Sequence, residues 1–286
     1  MVPGLLLEGF LLLVVLTVPL GVIVTIARGP VSRRDVDRFA SRHDLTITPA
    51  NGGQVIGYLA TTRRWRAAGL GVGYAITVAP ALWRTSLTVN FLALFAGWFA
   101  GALIAETRVV QLARGPRPTA ALVARSLVDY LSPQARAALP VALGFSVTLA
   151  ATAVITRIGG ADVNLLEVAT WLAGSLVLAA LVRAVQQRVL RRPQPAAPPD
   201  VTAADDAIRS RSLHVLAGSG AALVVYCGLG QLHGFDAGWE QAGQRIAPVI
   251  VPVVAILGWW VSVVPWRVRR PQPEPAPVPA PDPSAG

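Results

Sequence analysis

Ionisable side chains inside long apolar stretches are costly, and where they occur they are often functional. Two acids fit that description. Glu8 is the fourth residue of the stretch Leu5–Ala27, and Glu167 is the third of Leu165–Val182. Asn90 holds a similar place in Leu87–Ala105. At the helical rise each would lie roughly 3–5 Å inside one edge of the hydrocarbon. If Glu8, Asn90 and Glu167 converge, they form a polar pocket in the outer leaflet, suited to a cation or a lipid headgroup. If they do not, they cap helix starts, where negative charge suits the helix dipole. Capping is the simpler expectation.

Other candidates carry less chemistry. Thr148, Thr152 and Thr156 recur every four residues on one helix face. Such a face lines a polar path or, more simply, bonds the carbonyls one turn back. Gly69-Leu-Gly-Val-Gly73 lacks both the strand and the spacing of a nucleotide-binding loop. Ser219 has only His214 near it in sequence, too little for a nucleophile, a base and an oxyanion site. His233, Asp236 and Glu240 share a loop without the spacing of a metal site. Cys227 is the one cysteine and lies in an apolar run, so no disulfide or Cys-based metal motif is expected. The expectation is therefore no catalytic residue, no metal and no cofactor.

The elements that must position these residues are membrane spans. Of 286 residues, 53% are hydrophobic and 14% charged, whereas a soluble domain carries about 25% charged. Apolar runs near the roughly 20 residues needed to cross a bilayer are Leu5–Ala27, Leu87–Ala105, Leu139–Ile158, Leu165–Val182, Leu213–Leu232 and Ile246–Trp266. Ala67–Trp83 is shorter and contains Gly69, Gly71, Gly73 and Pro80. The first run lacks a preceding basic residue and exceeds a signal peptide's apolar core, so it reads as an uncleaved anchor with its N-terminus outside.

Arginine placement sets the topology. The net charge is +10, and all 25 basic residues are Arg. Counting Ala67–Trp83 as a span leaves only Arg84, Arg157 and Arg245 outside. Omitting it would export the loop holding Arg108, Arg114, Arg117, Arg125 and Arg136. Cytoplasmic loops hold the Arg excess, so the expected fold is an all-α, polytopic transmembrane bundle of seven spans. The arginines punctuate apolar runs instead of forming one soluble face, so no nucleic-acid partner is expected.

The expected organisation is an anchor span (1–27), a basic cytoplasmic segment with amphipathic helices (28–66) and a six-span bundle (67–270). Three in–out–in hairpins (67–105, 139–182, 213–266) build the bundle, with cytoplasmic loops 106–138 and 183–212. Residues 271–286, with Pro at every second position to 283, form an extended cytoplasmic tail. Ser32 and Asp35 cap a short helix bearing Val36, Phe39 and Ala40. Thr48-Pro49 starts a second helix with Val55, Ile56 and Leu59. Thr119 is expected to cap a third through Leu131, with Arg125 and Asp129 paired. These helices lie on anionic inner-leaflet lipid or pack under the bundle. Ala93, Gly97, Gly101 and Ala105 repeat every four residues and mark a close helix contact, with another span or another subunit.

Three features together, the all-Arg inner loops, Thr48-Pro-Ala-Asn-Gly-Gly leading to Arg63-Arg-Trp-Arg66, and Asp129-Tyr-Leu131, resemble multi-pass inner-membrane proteins of high-GC bacteria. The proteins of that group are themselves uncharacterised, so the resemblance implies no activity for any residue. Two functions remain. One is a non-catalytic plasma-membrane component that meets lipid, itself or another membrane protein as a partner, assembly factor or regulator. The other is a small-solute transporter or exporter. A third and weaker expectation is a lipid-modifying enzyme centred on Glu8 and Glu167.

Overall fold

A backbone that crosses hydrocarbon must satisfy its own hydrogen bonds, and in single segments only a helix does so. The computed structural model describes residues 3–84, 90–112, 118–119, 126–195, 198–235, 237–266 and 268. It is helical apart from one two-residue ladder. In chain order come α1 (Pro3–Arg28), α2 (Arg33–His43), α3 (Gly52–Arg84), α4 (Phe91–Leu112), α5 (Leu127–Tyr130), α6 (Pro133–Ile158), α7 (Leu165–Arg191), α8 (Pro199–Gly230) and α9 (Ala237–Val263). A 3-10 turn, Gln231–Gly234, follows α8.

Five helices are long and apolar enough to cross a membrane: α4, α6, α7, α8 and α9. Their outward positions suit lipid; Val141, Ile155, Leu166, Val177 and Val249 are each at least 66% exposed. Together these features are compatible with a membrane location.

Contacts between named residues set the direction of each long helix. Gly29 at the end of α1 meets Arg63 of α3, and Trp65 of α3 meets Gly101 of α4. Glu106 of α4 meets Tyr58 of α3, while Phe99 meets Tyr226 of α8. Ser132 of α6 meets His214, Val189 of α7 meets Arg209 and Ser262 of α9 meets Arg211. Among the described residues, α1, α3, α4, α6, α7, α8 and α9 therefore alternate in direction. One end gathers α2, α5 and most of the described arginines.

α8 is the axis. From Ala204 to Ala222 every residue except Arg211 is buried. Its flanks are α9, α7, α6 and α4. A hydrogen-bonded polar knot ties α6, α7 and the 3-10 turn: Ser146 donates to Ser175 at 2.9 Å, and the Gln231 amide donates to Ser146 Oγ at 2.7 Å.

Several expectations change. The stretch around Val55 and the run Ala67–Trp83 are one uninterrupted helix, α3, of 33 residues. It does not start at Thr48-Pro49. The Asn51 side chain accepts from Thr48 N–H at 2.8 Å, and Thr48 Oγ1 donates to Asp200 at 2.5 Å, so residues 48–51 form a turn fastened to α8 and the helix begins at Gly52. Thr119 pairs with Gln194 in the small ladder, and residues 120–125, where its expected helix begins, lie outside the described residues. Ser126 caps α5 instead and shares a capping box with Asp129; Arg125 lies outside the described residues. The tail 271–286 is also outside them.

The small-residue stripe of α4 has its partner in α3. Gly97 faces the backbone of Gly69 and Gly73; a Cβ on Gly97 would lie 2.9 Å from Gly73 Cα. Ala93 meets Gly73, and Gly101 meets Trp65 and Gly69. Ala105, one turn further, is fully buried. The glycines of 69–73 thus serve helix contact. Replacing Gly97 by Ala should lower unfolding free energy in detergent by about 1–3 kcal/mol, the usual cost of overpacking. Gly144→Ala and Gly174→Ala meet nothing within 4 Å and should be neutral or stabilising. Equal stability of Gly97→Ala and these controls would contradict the contact.

Candidate functional site

The end that gathers the arginines is a folded layer. α3 has 33 residues and spans roughly 50 Å, beyond a hydrocarbon core of about 30 Å. α8 overshoots likewise. Val36 and Phe39 of α2 pack with Val55 and Tyr58 of α3, Val109 of α4, and Ala204, Ala207 and Ile208 of α8. The apolar face of α2 therefore rests on protein, which decides between the two placements open from sequence. Ser32 holds its start: the Asp35 N–H donates to Ser32 Oγ at 3.2 Å, and the Ser32 hydroxyl donates to the Asp35 carboxylate at 2.8 Å. Asp44, at φ 52°, ends it in the left-handed region.

Below α2 lies a set of buried charges. Arg209 is fully buried and donates to Asp205 at 2.8 Å. Its other Nη donates to the carbonyls of Val189, Leu190 and Arg192 at 2.8–3.0 Å. It thereby caps the C-terminus of α7, where carbonyls lack intrahelical partners and the dipole favours a cation. Arg192 takes the other oxygen of Asp205. One turn on, Ser210 donates to Tyr130 O at 2.9 Å, and Tyr130 donates to Asp206 at 3.2 Å. The ring of His214 is engaged at both nitrogens: Nδ1 lies 2.9 Å from Ser210 O, and Nε2 accepts from Ser132 N–H at 3.2 Å. That arrangement fixes the Nδ1–H tautomer and leaves no base for Ser219.

Beside this set, Glu106 is fully buried on α4. Tyr58 donates to its Oε1 at 3.2 Å, and Oε2 makes no hydrogen bond. Arg66, Arg211 and Ser212 stand near it. Burial and the adjacent carboxyl push the Tyr58 phenol well above its ordinary value.

Arg66 and Arg211 also border a cavity of about 270 Å³ between α2, α3, α4 and α8. Arg38, Arg42, Arg63, Arg66 and Arg211 line it, with His43 and one carboxylate, Asp35. Arg63 donates to the carbonyls of Gly29 and Pro30, which ties α1 to α3. The Nε atoms of Arg63 and Arg66 and the Nδ1 of His43 are buried without a hydrogen-bond partner. Guanidinium groups converging on a hollow can hold an anion, and a planar phosphate or carboxylate edge suits them best.

The outer-leaflet candidates fall elsewhere. Asn90 caps α4, accepting from Ala93 N–H at 3.1 Å, and its carbonyl receives Thr77. It borders a cavity of about 370 Å³ with Trp171, Tyr226, Cys227 and His233. Among the described residues, Glu167 does not line that cavity; it sits in the first turn of α7, where its N–H donates to Asn164. Glu8 belongs to α1, and its side chain is outside the described residues. The threonine stripe bonds its own helix: Thr148 to Gly144 O, Thr152 to Thr148 O and Thr156 to Thr152 O. Of the loop acids, Asp236 and the Glu240 side chain lie outside the described residues, within which no group of three metal-ligating side chains occurs.

A reading based on apolar runs misses the buried set, because those runs end at Ala105 and begin again at Leu213. Two signals were present. The four-residue stripe of α4 continues in phase to Val109, which places Glu106 inside a packed helix. Asp205 and Arg209 are an i,i+4 pair.

No family model matches the chain, and neither a curated protein nor a solved structure matches it. The site therefore stands on its own geometry.

His43 gives that geometry a pH signature. Burial, then the neighbouring Arg211, His214 and Arg42, lower its pKa from 6.5 to about 4. A lowered folded-state value means that the neutral ring is the stabilising form. Its contribution is complete above pH 6.5 and is lost as pH falls towards 4. At pH 5 the loss should be about 2 kcal/mol. His43→Asn should flatten this part of the stability–pH profile in detergent, and a profile unchanged by the substitution would contradict the burial of His43.

Proposed function

We propose that this protein is a non-catalytic component of the plasma membrane, a partner, assembly factor or regulator that presents its folded basic layer to the cytoplasm. The observation that carries the reading is the burial of α8. The bundle is packed around this helix along the stretch where a transport path would run. Asp205 and Arg209 within it are committed to each other and to helix carbonyls. Among the described residues, the basic cavity and the cavity beside Asn90 share no lining residue.

The reading includes seven spans, with the N-terminus outside and the C-terminus in the cytoplasm. Its support is the alternation of helix direction together with the Arg excess at one end. A transporter is the second reading. It is favoured by the cavity beside Asn90, which extends from Gly230 past Cys227 to Leu223.

Two labelling experiments in intact cells and inverted vesicles test the proposal. Reporters that work only outside should be active when fused after Trp83, Gly160 or Gly238, and silent after Ala50, Gly115 or Pro198. External activity at Gly115 would overturn the seven-span topology. In a Cys227→Ser background, Ala217→Cys should resist an impermeant maleimide from both sides, because Ala217 is fully buried. Labelling there would replace the sealed-bundle reading with transport.

A further inference from the structure

The basic cavity does not end in water on every side. Trp98 forms part of its wall and also part of a second, wholly apolar cavity of about 450 Å³. That second cavity runs along α3, α4 and α9, with Leu70, Phe95, Trp98, Ile256 and Trp259 around it. α3 and α4 line both cavities, and α9 is tied to the basic one through Arg211. On α3, Arg66 is followed one turn later by Leu70. On α4, Trp98 is preceded one turn earlier by Phe95 and Leu94. On α9, Trp259 lies three residues before Ser262, whose carbonyl receives Arg211. The Arg66 guanidinium lies 6.0 Å from the centre of the Trp98 ring, at the boundary between the two.

A groove this apolar, at the depth of the hydrocarbon, suits an acyl chain. A cluster of guanidinium groups one turn below suits a phosphate. Glu106 stands near Arg66 and Arg211, and Asp35 pairs with Arg38 at 3.5 Å. Arg42 and Arg63 add to the excess, and the buried Nε atoms of Arg63 and Arg66 have no acceptor within the protein. Charge complementarity, with Trp98 lining both cavities, selects one occupant.

We propose that the paired cavities are a specific site for one anionic phospholipid, its phosphate among Arg63, Arg66 and Arg42 and an acyl chain along Leu70, Phe95 and Trp259. This rests on the reading that the Arg-rich end lies at a membrane face. The lipid would join α2, α3, α4 and α9 without forming a covalent bond. Zwitterionic lipids with the same chains would fit the groove but gain less from the arginines, since each basic group near an anionic surface contributes about 1 kcal/mol, or about fivefold in affinity.

Native mass spectrometry of the full chain in detergent tests the proposal, with dioleoyl phosphatidylglycerol and dioleoyl phosphatidylcholine added at equal concentration. One phosphatidylglycerol should be retained in preference to phosphatidylcholine. Arg66→Gln should reduce that preference about fivefold, and Arg157→Gln at the opposite end should leave it unchanged. Arg38→Gln, whose side chain is 61% exposed, supplies a variant that folds regardless and should weaken retention in the same direction. Equal retention of the two lipids would overturn the site, as would wild-type preference in both Arg66→Gln and Arg38→Gln. Displacement of phosphatidylglycerol by millimolar glycerol 3-phosphate would assign the arginines to a soluble phosphate and overturn the lipid. Labelling at Ala217→Cys can fail without affecting any of these results, so failure of the sealed-bundle reading and failure of the lipid site are separable.

Discussion

A charged helix placed at the centre of a bundle must be neutralised within it, and the structure is organised by that requirement. α8 carries Asp205, Asp206, Arg209 and His214 at buried positions. In a low-dielectric interior an unpaired charge of this kind costs several kcal/mol. Asp205 lies between two guanidinium groups, and the second Nη of Arg209 donates to the open end of α7. The neighbours of α8 take their positions from these bonds. α7 must end where Arg209 can reach its last carbonyls, α5 must place Tyr130 over Asp206, and α6 must begin at the Ser132 amide that His214 accepts.

α3 and α4 answer a different constraint. Their contact is the most extensive between any two elements, and it is made backbone to backbone through Gly69, Gly73, Gly97 and Gly101. Close approach at those glycines brings Glu106 against Tyr58 and directs Arg66 towards Trp98. The basic cavity is therefore a consequence of two packings: glycine contact on one side, and the ion-paired start of α8 on the other. α2 closes it, held by Ser32 and by Phe39 against Tyr58 at 6.0 Å.

Much of the fold was legible in the residues. Apolar length marked the long helices, Ser32 and Asp35 marked the start of α2, and the stripe at Gly97 marked a helix contact although its partner could not be named. Arginine counting supplied the one argument for treating α3 as more than a surface helix. The site was less legible. Hydropathy assigns a charged residue at the edge of an apolar run to a loop, so Glu106, Asp205 and Arg209 fell outside the spans. Burial of such groups depends on partners distant in sequence. Tyr58 is 48 residues from Glu106, and Thr48 is 152 from Asp200. Glu8 and Glu167 drew attention for the opposite reason: their apolar surroundings were local and visible, whereas the described contacts of Glu167 are those of a helix start.

The neutralisation of Asp205 is the centre of this account, and a double-mutant cycle with Arg209 measures it most directly. Unfolding in a denaturing-detergent titration would be followed for Asp205→Asn, Arg209→Gln and the double variant. Asp205→Asn leaves the buried guanidinium groups of Arg209 and Arg192 without their carboxylate and should cost about 3–5 kcal/mol; Arg209→Gln, which leaves Asp205 its pair with Arg192, should cost less. The double variant should cost much less than the sum of the two. Single variants within about 0.5 kcal/mol of the parent, as surface changes usually are, or strictly additive losses, would contradict a fold built around a neutralised α8.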